Sequence, residues 1–95
     1  MPVFRLDIVD ASVEAWAVTS IKISGWVRAG SEMEARALFA YARMIGAAQV
    51  SAWDLKIFPA WLSPAATSCL PSTDHQDLTP GEILLDDDNR FLAFE

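Results

Sequence analysis

Two side chains in the C-terminal half have the chemistry of a nucleophile and a base. Cys69 is followed by His75, and Asp74 and Asp77 flank the histidine. A catalytic thiol needs a base within hydrogen-bonding reach and an acid that orients this base, and sequence spacing alone does not supply that geometry. Cys69 lies in an apolar stretch typical of a buried cysteine, whereas His75 lies in a polar loop. We therefore favour a structural cysteine and a solvated histidine.

The acidic segment Asp86-Asp87-Asp88-Asn89 offers carboxylate oxygens of the kind that bind calcium. An EF-hand loop requires further oxygen ligands, a central glycine and a closing glutamate, and these do not follow. The segment is therefore interpreted as a solvated turn rather than a metal site.

Other reactive constellations are missing from the sequence. It contains no glycine-rich phosphate loop, no paired-cysteine metal pattern and no Gly-x-Ser-x-Gly elbow, and its one histidine excludes a multi-histidine centre within one chain. The sequence predicts a protein that is not an enzyme and that has no cofactor.

The clearest structural signal is a strand that leads into a helix between Thr19 and Gly46. Apolar and polar residues alternate up to Ala29, as in a half-buried strand. Ser31 and Glu34 then form a capping box, which predicts a main helix over about 31–45.

The predicted helix is apolar on two sides. One face should cover a sheet, and Glu32, Arg36 and Arg43 form a charged strip beside it. A further strip consists of Met33, Ala37, Ala40 and Met44. Either the second half of the chain covers this strip, or the strip binds a partner or a second copy of the chain in a homodimer.

The N-terminal residues predict a β-hairpin. Val3 to Asp10 alternates as a first strand, and the second strand could begin as early as Ala15. Trp16 and Trp26 then lie on the polar face of this hairpin. There each could stack on Lys22 or Arg28, could anchor a partner, or could be covered by another element, which is the alternative we favour.

The remainder predicts a short strand and a second hairpin. Residues 47–64 fit either a strand or a short helix, with Trp61 held against the body. A strand is expected over 67–70, a surface loop over 71–81, and a hairpin over 83–94. The fold class is α+β, a small antiparallel sheet on one main helix in ββαβ(β)β order, within a single domain spanning 1–95.

The negative charge is concentrated in the C-terminal part of the sequence. The net charge is −6, residues 1–45 sum to zero, and residues 74–95 hold seven acids against Arg90. Direct nucleic-acid binding through a basic patch is therefore not expected, and no membrane span or targeting segment is evident. One cysteine and no leader fit a cytoplasmic protein.

These features predict a small adaptor or inhibitor that binds a larger protein by covering part of its surface. Its predicted contact residues are an anionic region, the helix strip and Trp26; the anionic region comprises Asp74, Asp77, Glu82, Asp86, Asp87 and Asp88. A narrower version is a nucleic-acid mimic that occupies a basic nucleic-acid-binding surface, as some phage-encoded anti-restriction and anti-CRISPR inhibitors do. Two alternatives are a homo-oligomeric ligand-binding protein or enzyme with a pocket near Trp53 and Trp61, and a structural subunit of a larger assembly.

Overall fold

The computed structural model describes residues 1–19, 21–42 and 59–93. Within these ranges, five antiparallel strands form one sheet that packs against one α-helix, which confirms the predicted α+β fold. The strands are β1 (Val3–Ile8), β2 (Gly25–Arg28), β3 (Thr67–Ser72), β4 (Glu82–Leu85) and β5 (Arg90–Leu92), and the helix is α1 (Glu32–Tyr41). Their order in the sheet is β3-β1-β2-β4-β5.

Both predicted strand pairs are formed. Phe4 of β1 lies opposite Val27 of β2, and Ile83 of β4 lies opposite Phe91 of β5. The turn between β4 and β5 is the acidic segment, where Asp88 adopts a left-handed conformation (φ 69°) that aspartate tolerates better than most residues. β3 pairs with the other side of β1, and α1 packs over β1, β2 and β3.

The helix begins as predicted and ends earlier than predicted. The Ser31 side chain accepts a hydrogen bond from the backbone N–H of Glu34 at 3.1 Å, which caps the first turn. The prediction that the helix continues to about 45 is wrong, because Ala42 already has an extended backbone (ψ 134°). No helix breaker stands there, so local propensity does not set this end. Arg43, Met44 and Ile45 lie outside the described residues.

The predicted long second strand is also wrong. Glu14–Val18 forms a 3-10 helix, and the strand itself begins only at Gly25. The 3-10 turn buries Trp16 instead of leaving it on a polar face, and the indole N–H donates to the carbonyl of Asp10 at 2.7 Å.

The core lies between α1 and the sheet and is centred on aromatic side chains. Trp61, on a short 3-10 helix over Ala60–Leu62, is fully buried and makes edge-to-face contacts with Trp16 and Phe39 at centroid distances of 5.3 and 4.9 Å. Its indole N–H donates to the carbonyl of Ile21. Buried indoles need such partners, and this arrangement confirms that Trp61 is held against the body. The strand-or-helix question for 47–58 lies outside the described residues.

Arg36 is the one arginine of the described residues that lies within this core, although its spacing places it in a charged strip. Its guanidinium donates to the carbonyl of Trp61 and the hydroxyl of Thr67, at 2.9 and 2.8 Å, and it pairs with Glu32. The arginine therefore ties α1 to the segment that leads into β3. In the described ranges, no helix has the length and apolar character needed to cross a membrane.

Candidate protein-binding surface

The helix covers one face of the sheet, and the opposite face, which we call the open face, is covered only in part, at the end where Val3 and Leu78 are buried beside the 73–81 loop. Strand alternation sends Leu6, Val27 and Ile83 toward α1, where they are buried. The intervening residues point the other way. The pairing register aligns one of them from each strand in a single row across the sheet, in the order Leu70, Arg5, Trp26, Leu84 and Arg90.

This row, which we name the open-face row, combines apolar and cationic side chains. Leu70 is 64% exposed, and the Arg90 side chain is 40% exposed. Arg5, Trp26 and Leu84 are half-buried between them. The row therefore contains two side-chain types, tryptophan and arginine, that are enriched among the residues that contribute most to protein–protein binding.

Trp26 lies at the centre of the row and contacts two nitrogen-containing groups. The Arg5 guanidinium carbon lies 4.2 Å from the centroid of the indole, within the range of a cation–π interaction. The imidazole of His75 lies 4.3 Å from the same ring, tilted by 59°. The cation–π partner is thus Arg5, and not Lys22 or Arg28 as one alternative had it. The preferred alternative, that another element covers Trp26, holds in part, because His75 lies on the ring while Trp26 stays half-buried.

Arg5 is held by two carboxylates, one on its own strand and one in the β4–β5 turn. It binds Asp86 through two hydrogen bonds of 2.6 and 2.9 Å, and it binds Asp7 on its own strand at 2.8 Å. The hydrogen bond from Arg5 lowers the pKa of the Asp86 carboxyl. These bonds hold the guanidinium on Trp26 and tie the β4–β5 turn to β1.

Arg90, at the other end of the row, likewise pairs with two carboxylates. It donates to Glu82 at 2.7 Å and to Asp77 at 2.9 Å. The bond from Arg90 and a further bond from the Thr79 backbone lower the pKa of Glu82 from 4.5 to about 2. Arg90 also lowers the pKa of Asp77, so both acids stay ionised well below neutral pH.

The loop from 73 to 81 borders the open face and is pinned by Arg28. The Arg28 guanidinium donates to the backbone carbonyls of Met1, Gln76 and Leu78. Leu78 is buried, and the backbone N–H of Gly81 donates to the carbonyl of Arg28. The backbone of the loop is therefore fixed directly after His75.

The predicted anionic region is gathered on this face and the loops beside it, and half of its acids are neutralised within the chain. Asp77, Glu82 and Asp86 pair with arginines, whereas in the described part of the chain Asp74, Asp87 and Asp88 form no ion pair. Asp87 instead accepts bonds from Asn89 within the turn. Together with Asp7, the face and its loops hold seven carboxylates and three guanidinium groups, a net charge of −4.

The predicted helix strip is not assembled as a surface. Met33 is 80% exposed, Ala37 is half-buried, Ala40 is fully buried, and Met44 lies outside the described residues. Trp26 lies on the opposite side of the sheet from α1. The structure therefore joins Trp26 to the anionic region and not to the helix.

The sheet also separates the two reactive side chains. Cys69 lies opposite Leu6 on the helix-covered face, whereas His75 contacts Trp26 on the open face. Burial raises the pKa of the Cys69 thiol to about 11, so the nucleophilic thiolate is disfavoured. In the described residues, no three acidic, histidine or cysteine side chains are grouped to hold a metal ion.

Two open depressions lie beside α1, and neither involves Trp61. One, of about 410 Å³, is lined by Glu34, Leu38, Tyr41 and three alanines. The other, of about 360 Å³, lies between Met33, Arg36 and Pro64. Trp61 is fully buried and lines neither of these two depressions, and Trp53 lies outside the described residues.

Sequence patterning identified some members of this surface and missed others. It placed Arg5 on the polar side of β1 and grouped the acids of the C-terminal region. It missed Leu70, Leu84 and Arg90, because their alignment with Trp26 depends on the order of strands that are distant in sequence.

Comparison of the chain with protein-family models, with curated proteins and with solved structures found no match.

Proposed function

We propose that this chain is a small non-enzymatic protein-binding module, an adaptor or inhibitor that covers a basic surface of a larger protein with the open face of its sheet. One observation carries the proposal: the face that α1 leaves free aligns apolar, aromatic and cationic side chains in one row, and this face and its loops have a net charge of −4. Side chains of this kind supply binding energy at the centre of an interface. The charges around them favour a basic partner and accelerate association.

The size of the face indicates which residues must take part. Strands lie about 4.8 Å apart and residues advance about 3.4 Å along them, so the 23 residues of the five strands offer about 375 Å². A stable interface buries about 800 Å² on each partner. The loops at 73–81 and 86–89 must therefore join the contact, and they carry Asp74, Asp87 and Asp88.

Mimicry of a nucleic acid is a narrower form of this function. It would require carboxylates of the anionic region that form no ion pair within the chain, which among the described residues are Asp74, Asp87 and Asp88. Because arginines neutralise the other three acids, the surface favours a mixed apolar and acidic interface over a series of carboxylates that imitate phosphates.

The test compares two double variants that each remove two negative charges. Asp74→Asn with Asp88→Asn changes the open face, and asparagine tolerates the left-handed backbone at 88. Glu14→Gln with Glu34→Gln changes exposed acids on the helix side. Each protein is used in affinity capture from the native host, the captured partner is identified by mass spectrometry, and its affinity is measured at several salt concentrations.

We expect the open-face double variant to bind the partner at least tenfold more weakly and with a shallower salt dependence, whereas the helix-side variant should match the parent. Equal loss in both variants would indicate a general charge effect. An unchanged affinity in the open-face variant would remove the proposal.

A further inference from the structure

We propose, on the basis of the protein-binding function above, that Trp26 is a stacking site for an arginine side chain of the partner and that His75 is its displaceable cover. The inference concerns the chemistry of one contact within the open face. It adds a specific residue type to the basic partner and a defined movement on binding.

The two groups on the indole are held very differently. Arg5 is fixed by paired hydrogen bonds to Asp86 and by Asp7, so it cannot leave without breaking ion pairs. In the described part of the chain, the imidazole of His75 makes no hydrogen bond, and its residue is exposed. Contact with the Trp26 ring is what positions it, so a partner group can displace it at small cost.

The movement requires no rearrangement of the loop. The backbone of His75 already has a left-handed conformation (φ 53°), and its carbonyl accepts a hydrogen bond from the N–H of Leu78. Arg28 holds the following residues through the Gln76 and Leu78 carbonyls. Rotation of the His75 side chain alone would uncover the ring face that it now occupies.

The surroundings of the ring favour a guanidinium as the replacement. Arg5 already stacks on this indole with carboxylates beside it, which is the arrangement that a partner arginine would repeat. The acids next to His75 in the loop are Asp74, which forms no ion pair within the described residues, and Asp77, which is bound to Arg90. A guanidinium stacks on an aromatic face and binds carboxylates with its edge, whereas a lysine ammonium is a strongly hydrated point charge.

The experiment uses short acetylated and amidated peptides in which glycine alternates with arginine, lysine or citrulline. Citrulline keeps the shape of arginine and removes its charge. Affinities are measured by NMR titration of the parent chain, of His75→Asn and of Trp26→Leu, following the Trp26 indole N–H and the His75 ring protons. Asparagine preserves the left-handed backbone at 75 and removes the ring.

We expect the arginine peptide to shift the Trp26 and His75 signals and to bind more tightly than the lysine and citrulline peptides. His75→Asn should tighten arginine binding by a factor of about two to ten, because the cover no longer has to be displaced. Trp26→Leu should abolish the preference for arginine over lysine.

Two results would overturn the inference even if Trp26→Leu failed to fold. The first is equal affinity for arginine and lysine peptides with no shift at Trp26, which leaves the charge-guided protein-binding function intact. The second is an arginine affinity that His75→Asn does not change. The protein-binding function is tested separately, by the loss of partner affinity in the Asp74→Asn and Asp88→Asn variant.

Discussion

Gly25 is the position where one added methyl group should break the sheet. It is buried in β2 between Leu6 of β1 and Leu85 of β4. A Cβ atom at this position would lie 2.3 Å from the carbonyl oxygen of Leu84 and 2.9 Å from the Cα of Leu85. Both are backbone atoms of the neighbouring strand, so rotation of a side chain cannot relieve the contact.

The size of the destabilisation by Gly25→Ala depends on which atoms must move to relieve the contact. Overpacking a well-filled site costs about 1–3 kcal/mol, and the upper end applies here because relief requires separation of β2 and β4. The lower conformational entropy of alanine than of glycine in the unfolded chain offsets about 0.5–1 kcal/mol of this cost. We therefore expect Gly25→Ala to lower the free energy of unfolding by about 2–2.5 kcal/mol, and the melting temperature by roughly 8–20 °C for a domain of this size.

Gly30→Ala is the matched control, because it adds the same methyl group without a backbone obstacle. Its Cβ would meet only a carboxylate oxygen of Glu34, at 3.3 Å and at the free end of a flexible side chain. Urea denaturation and thermal melting followed by circular dichroism should place the control within about 1 kcal/mol of the parent. If Gly25→Ala were no less stable than Gly30→Ala, the close approach of β2 and β4 described above would be refuted.

Two further predictions concern charged groups with different burial. Arg36→Lys should lower the free energy of unfolding by about 1–3 kcal/mol in urea denaturation, because one ammonium cannot replace the three guanidinium nitrogens that bind Glu32, the Trp61 carbonyl and Thr67. The exposed control Glu32→Gln should cost less than about 1 kcal/mol, and equal losses would contradict the role assigned to the buried guanidinium. The pKa of Glu82 is about 2 in the folded chain and 4.5 ordinarily, so the stabilisation by Arg90 is complete above about pH 4.5 and is lost as the pH falls toward 2. The free energy of unfolding, measured by urea denaturation between pH 4.5 and 2, should fall more steeply with decreasing pH for the parent than for Glu82→Gln. Parallel pH profiles would refute the assignment.

The sequence predicted the elements whose signals are local. The alternation in β1, the cap at Ser31 and the acidic turn before β5 each depend on neighbouring residues, and all are present in the structure. The start of the second strand at Ala15 was predicted incorrectly, because the apolar residues from Ala15 to Val18 do not alternate with polar ones, and a 3-10 turn there buries Trp16. Tertiary burial of a large indole outweighed the weak strand preference of that segment.

The composition of the candidate surface was less accessible to sequence reasoning. Which residues share a face of one strand follows from a two-residue period, and this placed Arg5 and Trp26 outward. Which strands are neighbours does not follow from that period, and the pairing of β2 with both β1 and β4 is what brings Arg5, Trp26 and Leu84 into line. Because the order of the strands was unknown, Trp26 was predicted to share a partner surface with the helix, whereas it lies on the opposite side of the sheet.

The arginines of the open face explain how an acidic chain can hold this surface together. Arg5 and Arg90 each bind two carboxylates, and in both cases one of the acids comes from a distant part of the chain. The acids of the anionic region therefore divide into two groups with different roles. Asp77, Glu82 and Asp86 are needed to place the row, so their loss should affect folding and binding together. Asp74 and Asp88 face solvent without an ion pair in the described residues, so their loss should weaken association with a basic partner while the free energy of unfolding stays near that of the parent.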